Sequence, residues 1–121
     1  MSEKKILLVD DDQDFAQLLE FDFKKKGYQV VTANNGEDGL AKAMSEKPNL
    51  IILDVVMPHM DGYTLVQEIK RHDDLRKTPI IVITAKTDMQ DIFLNEGVSC
   101  CMIKPFKTEE FLQNVKQLAQ Q

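Results

Sequence analysis

The sequence predicts an α/β fold, a single doubly wound sheet of five parallel strands, from three observations. Five short apolar runs recur along the 121 residues, an amphipathic segment follows each of them, and no Pro/Gly/Ser-rich linker, low-complexity tract or repeat breaks the alternation. Parallel neighbours cannot be joined by tight hairpins; they need helical crossovers, which are right-handed almost without exception. The length suits one domain, taken as residues 1–121, and 43% hydrophobic residues can fill its core without disulfide or metal staples.

Ile6-Leu7-Leu8-Val9 is a buried strand by its short, all-apolar character, and it ends in Asp10-Asp11-Asp12. Phe15, Leu18, Leu19 and Phe23 then follow at near-helical spacing, and Lys24-Lys25-Lys26-Gly27 supplies the cations and glycine of a helix C-terminus. Tyr28 to Thr32 is a second strand, and Asn34-Asn35-Gly36 turns into a helix carrying Leu40, Ala43 and Met44, with Pro48 ending the unit. Leu50-Ile51-Ile52-Leu53 is the third strand and runs into Asp54. Past Met57-Pro58, Asp61 caps a helix whose inner side is Leu65, Val66 and Ile69. Pro79 opens the fourth strand, Ile80 to Ile83, which ends at Thr84. A weaker helix follows around Met89, Ile92 and Phe93, and Gly97 closes it. Ser99 to Ile103 is the fifth strand, ending at Lys104-Pro105. Thr108, Glu109 and Glu110 start the last helix, with Phe111, Val115 and Leu118 on one face.

The formal net charge of −5 disfavours nucleic acid and anionic membrane surfaces as direct partners. No segment approaches the roughly 20 apolar residues of a membrane span, and Ile6 to Val9 is too short for a secretory signal core. No membrane insertion and a cytoplasmic location are therefore expected. Cys100 and Cys101 are sequence neighbours without metal-ligand spacing and read as buried strand residues in a reducing compartment. His59 and His72 sit in polar surroundings and read as surface residues.

In doubly wound sheets ligands bind outside the carboxyl ends of the strands. Those ends carry Asp10, Asp11 and Asp12 after the first strand, Asp54 after the third, Thr84 after the fourth and Lys104 after the fifth. Gathered carboxylates resist ionisation unless a cation neutralises them, and a carboxylate set without His or Cys suits Mg²⁺. A hydroxyl and an ammonium beside the ion complete a set that can hold the oxygens of a phosphoryl group in transfer. Asp54, alone on the central strand, is the best candidate nucleophile, whereas Asp10 and Asp11 form a pair suited to the metal. Asp12 and Asp14 fit caps of the first helix.

Together these residues resemble the receiver domain of two-component response regulators, over essentially the whole chain. The pieces are Ile6-Leu7-Leu8-Val9-Asp10-Asp11-Asp12, Leu53-Asp54-Val55-Val56-Met57-Pro58 with Met60-Asp61-Gly62, Ile83-Thr84-Ala85 and Lys104-Pro105-Phe106. The resemblance is to single-domain receivers of the chemotaxis or sporulation-phosphorelay kind. It implies a flavodoxin-like sheet of strand order 2-1-3-4-5 and a Mg²⁺ held by Asp10, Asp11, Asp54 and the backbone carbonyl of Val56. It makes Asp54 the phosphoacceptor, Thr84 the switch hydroxyl and Lys104 the ion-pair partner of the phosphoryl group, with a cis Lys104-Pro105 bond. The implied partners are a sensor histidine kinase or histidine phosphotransfer protein and a downstream output protein, reached through the fourth helix, fifth strand and fifth helix. Such a domain is a phosphoacceptor with self-catalysed transfer and autodephosphorylation rather than an enzyme acting on a separate substrate.

The sequence departs from the family at two places. Cys101 stands where an aromatic residue is usual, and Thr84 to Lys104 spans 20 residues, about two fewer than expected, which implies a shortened fourth helix or preceding loop. Val56 and Lys86 occupy the positions that tune water access to the phosphoryl group. A phosphatase of the haloacid-dehalogenase type is the main rival, since Val9-Asp10-Asp11-Asp12 mimics its strand-then-nucleophile motif, but the chain has no room for a substrate cap. A calcium loop from Asp10 fails because Phe15 stands where glycine is needed and Phe21 where a bidentate Glu is needed. With no DNA-binding or catalytic domain in these residues, the expectation is either a free-standing regulator or a receiver cut from a longer protein.

Overall fold

The computed structural model describes residues 4–54, 62–85 and 87–120. Five strands, β1 (Lys5–Val9), β2 (Gln29–Ala33), β3 (Leu50–Asp54), β4 (Ile80–Thr84) and β5 (Cys100–Ile103), alternate with α1 (Gln13–Lys25), α2 (Gly36–Glu46), α3 (Gly62–Arg71), α4 (Gln90–Asn95) and α5 (Thr108–Ala119). All strand pairs are parallel, and the spatial order is β2-β1-β3-β4-β5. The order reverses between β1 and β3, where Val9 pairs with Leu53, so a crevice opens between the ends of these two strands.

The sheet separates two cores because successive strand residues point to opposite faces. Leu7, Val9, Ile51, Leu53, Ile80, Val82 and Cys101 face α2, α3 and α4. Ile6, Leu8, Leu50, Ile52, Ile81, Ile83 and Met102 face α1 and α5. Every residue of β3 and β4 is buried, which is why these strands read as unbroken apolar runs.

Local signals set the helix ends. The Asp12 carboxylate caps α1, accepting from the N–H of Asp14 at 3.1 Å and of Phe15 at 3.2 Å, and Asn35 caps α2 by accepting from the N–H of Asp38 at 2.8 Å. Gly27 beyond α1 and Gly97 beyond α4 take positive φ, +94° and +93°, where a Cβ would be strained. The fourth helix has only six residues, preceded by a 3₁₀ turn over Thr87–Met89, in line with the shortened spacing. The expected Asp61 cap of α3 lies outside the described residues.

Three apolar residues of the expected helices, Leu18, Met44 and Ile92, lie largely outside the core. The buried stripe of α1 is Ala16, Leu19 and Phe23, at i, i+3 and i+7. Leu18 lies about 100° from Leu19 around the helix and is 67% exposed. Met44 and Ile92 are rotated away from Ala43 and Phe93 in the same way. Cys100 is half-buried rather than buried, Cys101 is buried, and both are free thiols.

Candidate functional site

The strand ends bring Asp10, Asp54, Thr84 and Lys104 to one edge of the sheet. Asp10 follows β1 directly and continues its pairing with β2, because its N–H donates to the Ala33 carbonyl at 2.9 Å. Its carboxylate is 2% exposed and accepts from the N–H of Asp12 at 2.9 Å. Asp54 is the last residue of β3, buried and paired in register with Ile83. Thr84 is the last residue of β4 and is also buried. Its carbonyl accepts from the N–H of Lys104 at 2.8 Å, which fixes where β5 delivers that lysine. Lys104 is followed by a cis peptide bond to Pro105, as the resemblance implies.

Across this edge Lys104 Nζ donates to Asp54 Oδ2 at 2.7 Å. Burial pulls the Lys104 pKa down, but the hydrogen bond and charge of Asp54, with the carboxylates of Asp10 and Asp12, outweigh it and raise the value above normal. Asp10 is pushed the other way from an ordinary carboxylate. Desolvation raises its pKa from 3.8 to about 6, against the Asp12 N–H, with the charges of Asp54 and Asp11 adding to the rise and Lys104 opposing it. The edge therefore holds more negative charge than one ammonium can neutralise.

Asp11 is exposed at the rim rather than drawn into the crevice. Val56, Met57, Pro58, His59 and Lys86 lie outside the described residues. Among the described residues no three His, Cys, Asp or Glu side chains are gathered closely enough to enclose an ion. The donor chemistry nonetheless fits Mg²⁺, since the ligating groups among the described residues are carboxylates without His or Cys, and Asp10 and Asp54 are both buried.

Three residues make contacts, at the site or around α4, that the sequence reading does not give. Phe15, placed on the first helix by its spacing, lies half-buried with its ring centroid 5.6 Å from Lys104 Nζ. With Pro105, Phe106 and Thr108 it lines an open cavity of about 490 Å³ beside the lysine. Gln90 of α4 donates its side-chain amide to the Cys101 carbonyl at 3.2 Å, tying α4 to β5 where the family's aromatic residue is missing. Tyr63 of α3 donates its hydroxyl to Glu96 Oε1 at 2.5 Å and packs edge-on to Phe93. No short-range pattern marks these pairs; only a tertiary structure brings them together.

The model of the response regulator receiver domain family matches residues 6–116. The chain belongs to that family. This receiver is 38% identical over 117 residues to the alkaline phosphatase synthesis transcriptional regulatory protein PhoP of Bacillus subtilis, covering 95% of the chain and 48% of PhoP. The chain spans about half the length of the curated relatives it matches. The solved chemotaxis response regulator CheY4 of Vibrio cholerae superimposes with a TM-score of 0.89 at 30% identity, over 97% of this chain and 99% of CheY4. Response regulator TrrA of Thermotoga maritima, solved in complex with Mg²⁺-BeF, gives 0.85 at 32% identity over 95% and 98%. The receiver is a signalling domain of two-component systems rather than a classical enzyme, and none of its described helices is long and apolar enough to cross a membrane.

Proposed function

We propose that this receiver, residues 1–121 acting as one unit, accepts a phosphoryl group on Asp54 from a phosphohistidine of a sensor histidine kinase or histidine phosphotransfer protein. The observation that carries this reading is the 2.7 Å contact of Lys104 Nζ with Asp54 Oδ2, at a sheet edge that also holds buried Asp10. An Asp54 oxygen forms the new bond to phosphorus as the P–N bond to the donor imidazole breaks, and the nitrogen leaves with the bonding pair. Lys104 follows the charge from the carboxylate to the phosphoryl oxygens, and the Thr84 hydroxyl donates to a second oxygen. Asp10 and Asp11, with Asp54 and the Val56 carbonyl, hold Mg²⁺, which neutralises phosphoryl charge when bound. The Mg²⁺-BeF complex of TrrA supports this assignment.

The acyl phosphate adds about −1.5 to −2 charges. Thr84 and Lys104 move toward it, and the pull on β4 and β5 shifts α4 through the Gln90–Cys101 link, changing the α4-β5-α5 surface that a downstream protein reads. Water attack on phosphorus releases phosphate and resets Asp54. The reading places the protein in the cytoplasm, with no direct contact to nucleic acid.

Incubation with Mg²⁺ and acetyl phosphate tests it. The wild-type protein takes up acid-stable, base-labile phosphate and Asp54→Asn takes up none. Labelling retained in that variant sinks the assignment of the nucleophile, and sustained hydrolysis of unrelated phosphomonoesters favours the phosphatase instead.

A further inference from the structure

The Lys104 side chain is 41% exposed, although its ammonium makes the contact that closes the sheet edge. Its backbone is fixed by the N–H bond to the Thr84 carbonyl at 2.8 Å, and its Nζ by Asp54 Oδ2 at 2.7 Å. Between those two anchors lies a flexible four-carbon stem, which solvent reaches through the open cavity of about 490 Å³. A lysine in that setting gives up side-chain freedom whenever it takes up its pair, so a wall that limits its excursions favours the paired state.

Phe15 supplies such a wall. Nζ lies over its ring, 5.6 Å from the centroid, within the reach of a cation–π contact. The ring is itself firmly placed. The Asp12 cap accepts from the Phe15 N–H at 3.2 Å, which fixes the backbone, and the side chain packs half-buried against the core behind α1 and α5. Only two torsions turn a phenyl ring, so little entropy is lost in holding it there. Its chemistry also suits a cation that must move. A carboxylate at this position would bond the ammonium directionally and compete with the phosphoryl oxygens, and an aliphatic side chain would offer the charge nothing. The face of a ring attracts a cation weakly and without lone-pair directions, so the ammonium keeps this partner while it shifts from one oxygen to another.

We propose that Phe15 is a positioning residue for phosphoryl transfer, its ring face holding the Lys104 ammonium at Asp54 and guiding it as charge passes to the phosphoryl oxygens. The inference rests on Asp54 as the phosphoacceptor. Phe15 acts through Lys104, so its effect on transfer follows the electrons of the ring rather than its size.

Replacing Phe15 in the 121-residue chain with phenylalanines carrying one, two and three ring fluorines tests this, because fluorine drains negative charge from the ring face with little change in size. Uptake of phosphate from acetyl phosphate with Mg²⁺ should slow stepwise, by about two- to fivefold at three fluorines, the factor that a partly exposed cation–π contact supplies. Phe15→Leu, which keeps an apolar side chain, slows uptake by a similar factor, and Phe15→Tyr, which keeps the ring, stays within about twofold of wild type. In a Lys104→Ala background Phe15→Leu causes no further loss, since the residue it positions is gone. Proton NMR of the unphosphorylated protein supplies a readout independent of Asp54 chemistry: the Lys104 Cε protons are shifted upfield by the ring current and return to their ordinary position in Phe15→Leu. Equal uptake across the fluorinated series overturns the proposal. So does a Phe15→Leu loss that persists without Lys104, or Cε protons that are unshifted in the wild type. Phosphate taken up by Asp54→Asn overturns the acceptor and the positioning role with it, and is told apart from the other outcomes because those leave Asp54→Asn unlabelled.

Discussion

Replacing Asp10 with Asn should stabilise the metal-free protein at neutral pH. The carboxylate is 2% exposed and its pKa is pushed from 3.8 to about 6, chiefly by desolvation. Below the unfolded value both states carry the proton and the full stability is present. As pH rises through the folded value the native state must ionise a buried group that the unfolded chain ionises freely, so stability falls between about pH 4 and 6 and then levels off. Each pKa unit corresponds to about 1.4 kcal/mol, which sets the cost above this window at about 3 kcal/mol. In the Asp10→Asn variant the amide oxygen still accepts from the Asp12 N–H, while the new NH₂ group loses water on burial, so the expected net gain is about 1–3 kcal/mol. Urea unfolding in EDTA at pH 5, 6 and 7.5 measures it. Added Mg²⁺ should stabilise the wild type, as any ligand of the native state does, and leave the variant unchanged. A variant no more stable than wild type at pH 7.5, with the same dependence between pH 4 and 6, would refute the electrostatic account of this crevice.

Other perturbations probe separate links. Thr84→Ala should leave phosphate uptake largely intact and remove the difference in partner affinity between the phosphorylated and unphosphorylated forms; loss of uptake would place the hydroxyl in the transfer step. Gly39→Ala would set a Cβ 3.0 Å from both methyls of Val9 and 3.5 Å from Leu65, all in the packed core. The clash of about 1–3 kcal/mol exceeds the gain of about 1 kcal/mol in helix propensity, so the urea midpoint should fall, and a rise would contradict it. Tyr63→Phe deletes the bond to Glu96 and should speed hydrogen exchange a few-fold in α4 while α1 exchanges as before. Unchanged α4 amides would show that the Tyr63–Glu96 bond does not hold the helix, leaving Phe93 and the Gln90–Cys101 bond to do so.

The fold was legible because a parallel sheet covered on both faces makes its strands contiguous apolar runs, and the residues after those runs share one edge by topology alone. Asp54 and Lys104 could thus be placed together although 50 residues separate them. The resemblance makes Asp11 the likelier direct ligand, but the burial of the pair was not legible: adjacent identical residues differ only in which way the chain turns them, Asp10 into the crevice and Asp11 to the rim. Leu18 and Leu19 pose the same problem on α1, where helical period alone does not say which leucine meets the sheet. Tyr63–Glu96 and Gln90–Cys101 join elements whose relative placement depends on packing, and no local pattern encodes such distances.

The two cores separated by the sheet have a mechanical consequence. Among the described residues, the side chains packed behind α1 and α5 form one cluster and those behind α2, α3 and α4 another, so the five strands act as a partition between two compartments. Among the described residues, a disturbance in one compartment has no direct route of packed side chains into the other. Beyond the shared strand backbones, the partition's rim joins the two sides, where the Asp54–Lys104 contact and the Lys104–Thr84 backbone bond link three strand ends. The rim is thus the isthmus between the two halves of the molecule, and a charge placed there addresses both at once.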